Sequence, residues 1–192
     1  MKRRPPPPDK PAPAPQIEQP MMRRRLALLG LRLPEVKPPA FQYVPVVIHG
    51  GIAYVSGQVP WVGGEVKPVG KVDREVSIEA AQEAARVCTL QALAWLNQTP
   101  TGLDDVERVL KVTGWVASSA GFNRQPEVID AASELLVKVF GQGGKHARAA
   151  IGVAELPRNA AVEIEFTFAL KRRPPGSQRT RRPGFPIVEK RS

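Results

Sequence analysis

The 192-residue chain has one cysteine, two histidines and no long apolar run. A lone thiol, Cys88, cannot close an internal disulfide or supply a multi-thiolate zinc site. His49 and His146 stand at no two-ligand spacing with Asp, Glu or Cys, so the sequence offers no metal cluster. The most apolar N-terminal stretch, residues 26–31, ends at Arg32, far short of the roughly 20 residues needed to span a bilayer. No secretory leader or membrane anchor is expected, and a cytoplasmic location follows as the expectation. Gly-x-Ser-x-Gly is absent, and Gly141-Gln-Gly-Gly144 lacks the Lys-Ser/Thr of a phosphate loop and closes a helical pattern instead of opening one.

What the chain does have is positive charge, a formal +10, distributed unevenly. Residues 1–25 hold seven basic against two acidic side chains, and residues 171–192 hold eight against one, which leaves the middle at −2. Proline follows the charge, with eight in the first segment and four in the last. Neither end has periodic apolar residues, so neither can bury enough surface to offset its ordering entropy. Three parts are expected: a disordered Pro/Arg-rich tail over 1–25, a folded domain over 26–170 and a basic disordered tail over 171–192. The tails are suited to nucleic acid or another anionic surface. Met1, Met21 and Met22 are all candidate starts of translation.

From Phe41 the pattern becomes that of an α+β domain. Residues 41–48 and 52–58 read as a hairpin turning at Gly50-Gly51, and Pro60 with Gly63-Gly64 ends it. Ser77 is an N-cap candidate for a long helix in which Ile78, Ala81, Ala85, Cys88, Ala92 and Trp95 share one face, so Cys88 reads as core. A β-branched strand over 106–116, entered through a short helical turn, precedes a second helix that Pro126 opens. Its apolar positions are Ile129, Ala132, Leu136, Val139 and Phe140. Strands over 147–154 and 161–170 follow, the last alternating cleanly between Val162, Ile164, Phe166, Phe168, Leu170 and Glu163, Glu165, Thr167. The order is ββαβαββ. Two such helices are expected to cover one face of a mixed sheet and leave the other open.

Arg148 stands out, because it lies in a strand otherwise built of small residues: Ala147-Arg-Ala-Ala-Ile-Gly-Val-Ala154. Guanidinium takes carboxylate in a bidentate fork, so a small carboxylate is the ligand this pattern implies. Glu163 is expected on the polar face of a strand lying alongside. The competing reading is that Arg148 and Glu163 simply pair with each other.

Tyr43, Tyr54-Val-Ser-Gly-Gln-Val-Pro60, His146-Ala-Arg148, Leu156-Pro157 and Val162-Glu-Ile-Glu165 occur in an order that resembles the YjgF/RidA family of reactive enamine/imine deaminases, over residues 26–170. The resemblance implies a chorismate-mutase-like fold in a homotrimer with ligand clefts between subunits. It implies that Arg148 holds the carboxylate of a 2-imino or 2-enamino acid and that Tyr43 lines the cleft from the neighbouring subunit. Ser56 and Gly57 would lie beside the bound group, Glu163 would position or activate the attacking water, and no cofactor is needed. Two positions differ from the archetype: Ala150 where it has cysteine, and Asp130 where it has asparagine. Both belong to the expected substrate-binding set, and the N-terminal piece Arg25-Leu-Ala-Leu-Leu-Gly-Leu-Arg-Leu-Pro34 with the Gln125-Pro126 helix start resembles a less characterised branch. Two other expectations stand beside the deaminase: a non-catalytic carboxylate-binding trimer, and RNA binding or endoribonuclease-like cleavage.

Overall fold

The computed structural model describes residues 21–172 apart from Pro38 and Ala40. Its elements, in chain order, are α1 (Met21–Leu28), β1 (Val46–His49), β2 (Ile52–Gln58), a two-stranded ribbon of β3 (Trp61–Val62) and β4 (Glu65–Val66), α2 (Ile78–Gln98), β5 (Val106–Ala117), α3 (Gln125–Phe140), β6 (Ala147–Val153) and β7 (Val162–Leu170). The expected ββαβαββ order is present, with α1 and the ribbon added to it. Five strands form one sheet in the order β1-β2-β7-β5-β6, and β5–β6 is its parallel pair. The class is α+β, as expected.

Alternation in β7 sets the two faces of this sheet. Val162, Ile164, Phe166, Phe168 and Leu170 are buried, while Glu163, Glu165 and Thr167 turn to the opposite face. α2 and α3 pack on the buried side and on each other. The side-chain oxygen of Ser77 accepts from Ala80 N at 3.2 Å and caps α2, satisfying one of the amides that a helix start leaves without an intrahelical partner. Along α2, Ala81, Ala85, Cys88 and Ala92 are fully buried, so Cys88 is a core residue whose thiol burial pushes above its ordinary pKa. α3 contributes Ile129, Ala132, Leu136 and Val139, all with no exposure, and Phe140 leans on Phe168 with ring centroids 6.3 Å apart. Gly114 of β5 is required where α3 crosses it, because a Cβ there would fall 2.5 Å from Ile129 Cδ1.

Four expectations need correction. The first strand begins at Val46 and not at Phe41, the preceding residues forming bends. The segment after Pro60 folds into the ribbon β3–β4, in which Trp61 stacks under the Arg158 guanidinium at 5.0 Å. Residues 21–25, given to the tail because of their charge, are the start of α1, which buries Leu26 and ties Arg25 Nη2 to Lys138 O at 3.2 Å near the end of α3. The tail expectations for 1–20 and 173–192 lie outside the described residues. The fourth correction concerns strand neighbours: β7 sits between β2 and β5, so it does not lie alongside β6.

Both ends of the described chain meet at the 3-10 turn Leu103–Asp105. Met22 N donates to Asp104 Oδ1 at 2.8 Å, Lys171 Nζ donates to Asp104 O at 2.7 Å, and Lys171 N donates to Asp105 O at 2.8 Å.

Candidate functional site

Arg148 is the second residue of the edge strand β6, in register with Val112 of β5. Val112 is buried under the helices, and paired residues project to the same face of a sheet, so Arg148 projects toward α3. Its Nη1 donates to Asp130 Oδ1 at 2.6 Å and to Ser133 Oγ at 3.1 Å, two positions one turn apart on α3. The side chains of Arg148 and Asp130 are 23% and 56% exposed, so the pair is worth about 0–1 kcal/mol and does not lock the guanidinium against a ligand.

Behind Ser133 stands His146. Its Nε2 lies 3.1 Å from Ser133 Oγ, and its Nδ1 lies 2.6 Å from the Gly144 carbonyl oxygen. A carbonyl only accepts, so Nδ1 carries the hydrogen, and in the neutral ring Nε2 accepts from the Ser133 hydroxyl. Burial holds the His146 pKa below the ordinary histidine value, the Gly144 bond opposing this and the Arg148 charge adding to it.

Ala150 follows Arg148 on the same side of β6 and packs against the core. Gly152 does not clear space for a ligand: a Cβ there would meet Gln125 Nε2 at 2.6 Å. The Gln125 amide fills that room and donates to Phe122 O at 2.8 Å.

Glu163 belongs to a second group. It pairs with Trp115 of β5, three residues along from Val112, and it lies on the face away from the helices. β5 separates its strand from β6, about 9–10 Å from strand to strand. Within one chain, therefore, Arg148 and Glu163 neither pair nor meet, and the ion pair that Arg148 makes is with Asp130. Beside Glu163 is the bulge between Val55 and Gln58, where Ser56 and Gly57 lie. A Cβ on Gly57 would collide with a Glu163 carboxylate oxygen, so glycine is needed for the carboxyl to lie over β2. Ser56 N and Oγ donate to Pro45 O at 3.0 and 3.3 Å, and Gln58 Nε2 donates to Ser56 O at 2.9 Å, which fixes the bulge. Tyr43, half-exposed, stands two residues before Pro45 in the segment that leads into β1. Burial, with Glu165 beside it, pushes the Glu163 pKa above the ordinary glutamate value.

The candidate residues thus fall into two groups, Arg148, Asp130 and Ala150 on the helix side of the β6 edge, and Ser56, Gly57 and Glu163 on the open side of β2 and β7, with Tyr43 in the segment that leads into β1. Sequence reasoning missed Ser133; its i+3 spacing from Asp130 on a helix was the available signal. Among the described residues no three His, Cys, Asp or Glu side chains gather where a metal ion could be held, and no helix is long and apolar enough to cross a membrane.

A mostly antiparallel five-stranded sheet under two helices, with an arginine on its edge strand and a glutamate on its open face, defines a chorismate-mutase-like protein of the YjgF type. The chain belongs to that family: the family described as "YjgF/chorismate_mutase-like, putative endoribonuclease" matches residues 23–170. Protein TCP17 of Trypanosoma cruzi is 41% identical over 148 residues, 76% of this chain and 91% of that protein. Among solved structures, Atu1372 of Agrobacterium tumefaciens, a protein of unknown function, is 41% identical with a TM-score of 0.70, covering 78% of this chain and 91% of its own. A putative endoribonuclease of Shewanella oneidensis is 28% identical with a TM-score of 0.74, covering 78% and 99%.

Proposed function

We propose that the protein hydrolyses reactive 2-imino and 2-enamino acids to 2-oxo acids and ammonia in the cytoplasm, as a homotrimer whose sites form where one subunit's Arg148 half-site meets a neighbour's Glu163 half-site. The observation that carries this reading is the separation of the two halves: each is incomplete, and each lies on a surface that a second copy can reach. Arg148 takes the substrate carboxylate and so orients the C=N carbon. Glu163, a base with a raised pKa, accepts a proton from water as the oxygen adds to that carbon. The nitrogen is protonated, the C–N bond of the carbinolamine breaks, and ammonia leaves as the C=O forms. An imine is already an electrophile, so these steps call on no cofactor. Tyr43, Ser56 and Gly57 line the cleft on the glutamate side, and Asp130 and Ala150 on the arginine side.

The test is ammonia release from 2-iminopropanoate and 2-iminobutanoate generated in situ. Wild-type rates well above those of Arg148→Ala are expected, and equal rates would end the proposal. Two outcomes would favour other readings. Tight 2-oxo acid binding without turnover would favour a binding protein, the reading to which the departures at Ala150 and Asp130 lend support. RNA cleavage that needs Glu163 would favour the activity named in the family's description.

A further inference from the structure

The guanidinium of Arg148 has five N–H hydrogens, and the two on Nη1 are both engaged, one by Asp130 Oδ1 and one by Ser133 Oγ. Among the described residues, Nε and Nη2 have no hydrogen-bond or ion-pair partner. The Nε/Nη2 edge presents two parallel N–H groups, the spacing that a carboxylate fills with both oxygens. The end-on edge, Nη1/Nη2, is not available in this arrangement.

We propose that Ser133 and His146 are positioning residues that hold Arg148 with its Nε/Nη2 edge free, so that the site accepts one carboxylate side-on. This deepens the reading in which Arg148 binds the substrate carboxylate, and it rests on that reading. Ser133 serves Arg148 only as an acceptor, so its single hydrogen must point elsewhere. His146 provides the place: its Nδ1 is tied to Gly144 O, which leaves the Nε2 lone pair facing Ser133. The other acceptor within reach of the hydroxyl, Ile129 O, is at 3.5 Å and offers a weaker bond. Asp130 alone leaves one Nη1 hydrogen free and lets the guanidinium pivot about that single bond. The Ser133 bond removes the pivot.

Nitrogen-15 NMR of the Arg148 side chain in the whole, ligand-free protein tests this directly. The wild-type protein is expected to give separate Nη1 and Nη2 resonances, because rotation about Nε–Cζ is restrained. Ser133→Ala should merge them and weaken pyruvate binding roughly fivefold to tenfold, the worth of about one ordinary hydrogen bond, because the contacts of Nε and Nη2 to the carboxylate remain. Ser133→Thr, which keeps the hydroxyl, should restore the separation. Resonances that stay resolved in Ser133→Ala would overturn the inference, whatever pyruvate does. Pyruvate binding that survives Arg148→Ala would instead overturn the carboxylate reading and the side-on fork with it, while the resonances still decide whether Ser133 positions the arginine.

Discussion

If each catalytic site combines Arg148 from one subunit with Glu163 from another, two inactive variants should rescue each other. Arg148→Ala removes a bidentate, charge-assisted carboxylate contact, and each of its two hydrogen bonds contributes about 1.5–3 kcal/mol, so its kcat/KM should fall roughly 10²- to 10⁴-fold. Glu163→Gln keeps the shape of the other half-site and removes its base, with a loss of roughly 10²- to 10⁴-fold expected. Within one chain the two residues lie on opposite faces of the sheet, with β5 between their strands. In a closed symmetric oligomer made from equal amounts of the two variants, an intact site needs an Arg148 subunit beside a Glu163 subunit in the correct order. Each condition is met half the time, so about one quarter of wild-type activity should return. The fraction does not depend on whether the ring has two, three or four members. The assay is ammonia release after co-expression of the two chains, against each variant alone. A mixture no more active than the variants themselves would refute the division of the site between subunits.

Other predictions are simpler to test. Asp130→Asn removes a negative charge from the Nη1 side of the guanidinium that takes the carboxylate, and like charges near a surface repel by about 1 kcal/mol after screening, so 2-oxo acids should bind roughly fivefold more tightly in calorimetry. Activity should rise with pH as Glu163 ionises, along an acid limb displaced above the ordinary glutamate value because burial and Glu165 raise its pKa; Glu163→Gln should abolish that limb in kcat/KM profiles. The same shift means that the charged carboxylate costs the folded subunit stability, a cost absent at low pH and incurred as pH rises through the raised pKa. Phe168→Ala empties a fully buried position that stacks on Phe166 and meets a tilted Phe140, and should cost about 3–5 kcal/mol in denaturant unfolding. RNA affinity, if held by the ends of the chain, should show a steep salt dependence that flattens when residues 1–20 and 173–192 are removed. A 21–172 chain with an unchanged slope would place the contact on the domain.

Local pattern was legible in this sequence and strand adjacency was not. The alternation of 162–170 and the helical spacing from Ile78 to Trp95 reflect which side chains must be buried, so they survive folding unchanged. Whether β7 follows β6 in space depends on the chain's return path, which no single residue records. One clue was present: a strand, a helix and a strand in succession favour parallel pairing through a crossover, and β5-α3-β6 does this, which sends β7 to the far side of β5. Arg148 could be singled out because it is large among small neighbours, yet its partners come from a helix and not from the next strand. Helix α1 was hidden by Arg23-Arg24-Arg25, which read as tail until Leu26 is seen buried and Arg25 bonded to α3.

The turn at Leu103–Asp105 has a consequence for the positive charge at the two ends of the chain. Because Met22 and Lys171 are fastened to the same residue, Asp104, residues 1–20 and 173–192 start from a single anchorage, with net charges of +2 and +5. If the two ends bind a polyanion, as their charge leads us to expect, one caught by either terminus is held at a high local concentration for the other, and the second encounter becomes intramolecular. On that condition the two termini are expected to act as one bivalent clamp, so that cutting away either of them forfeits more affinity than its own charges contribute.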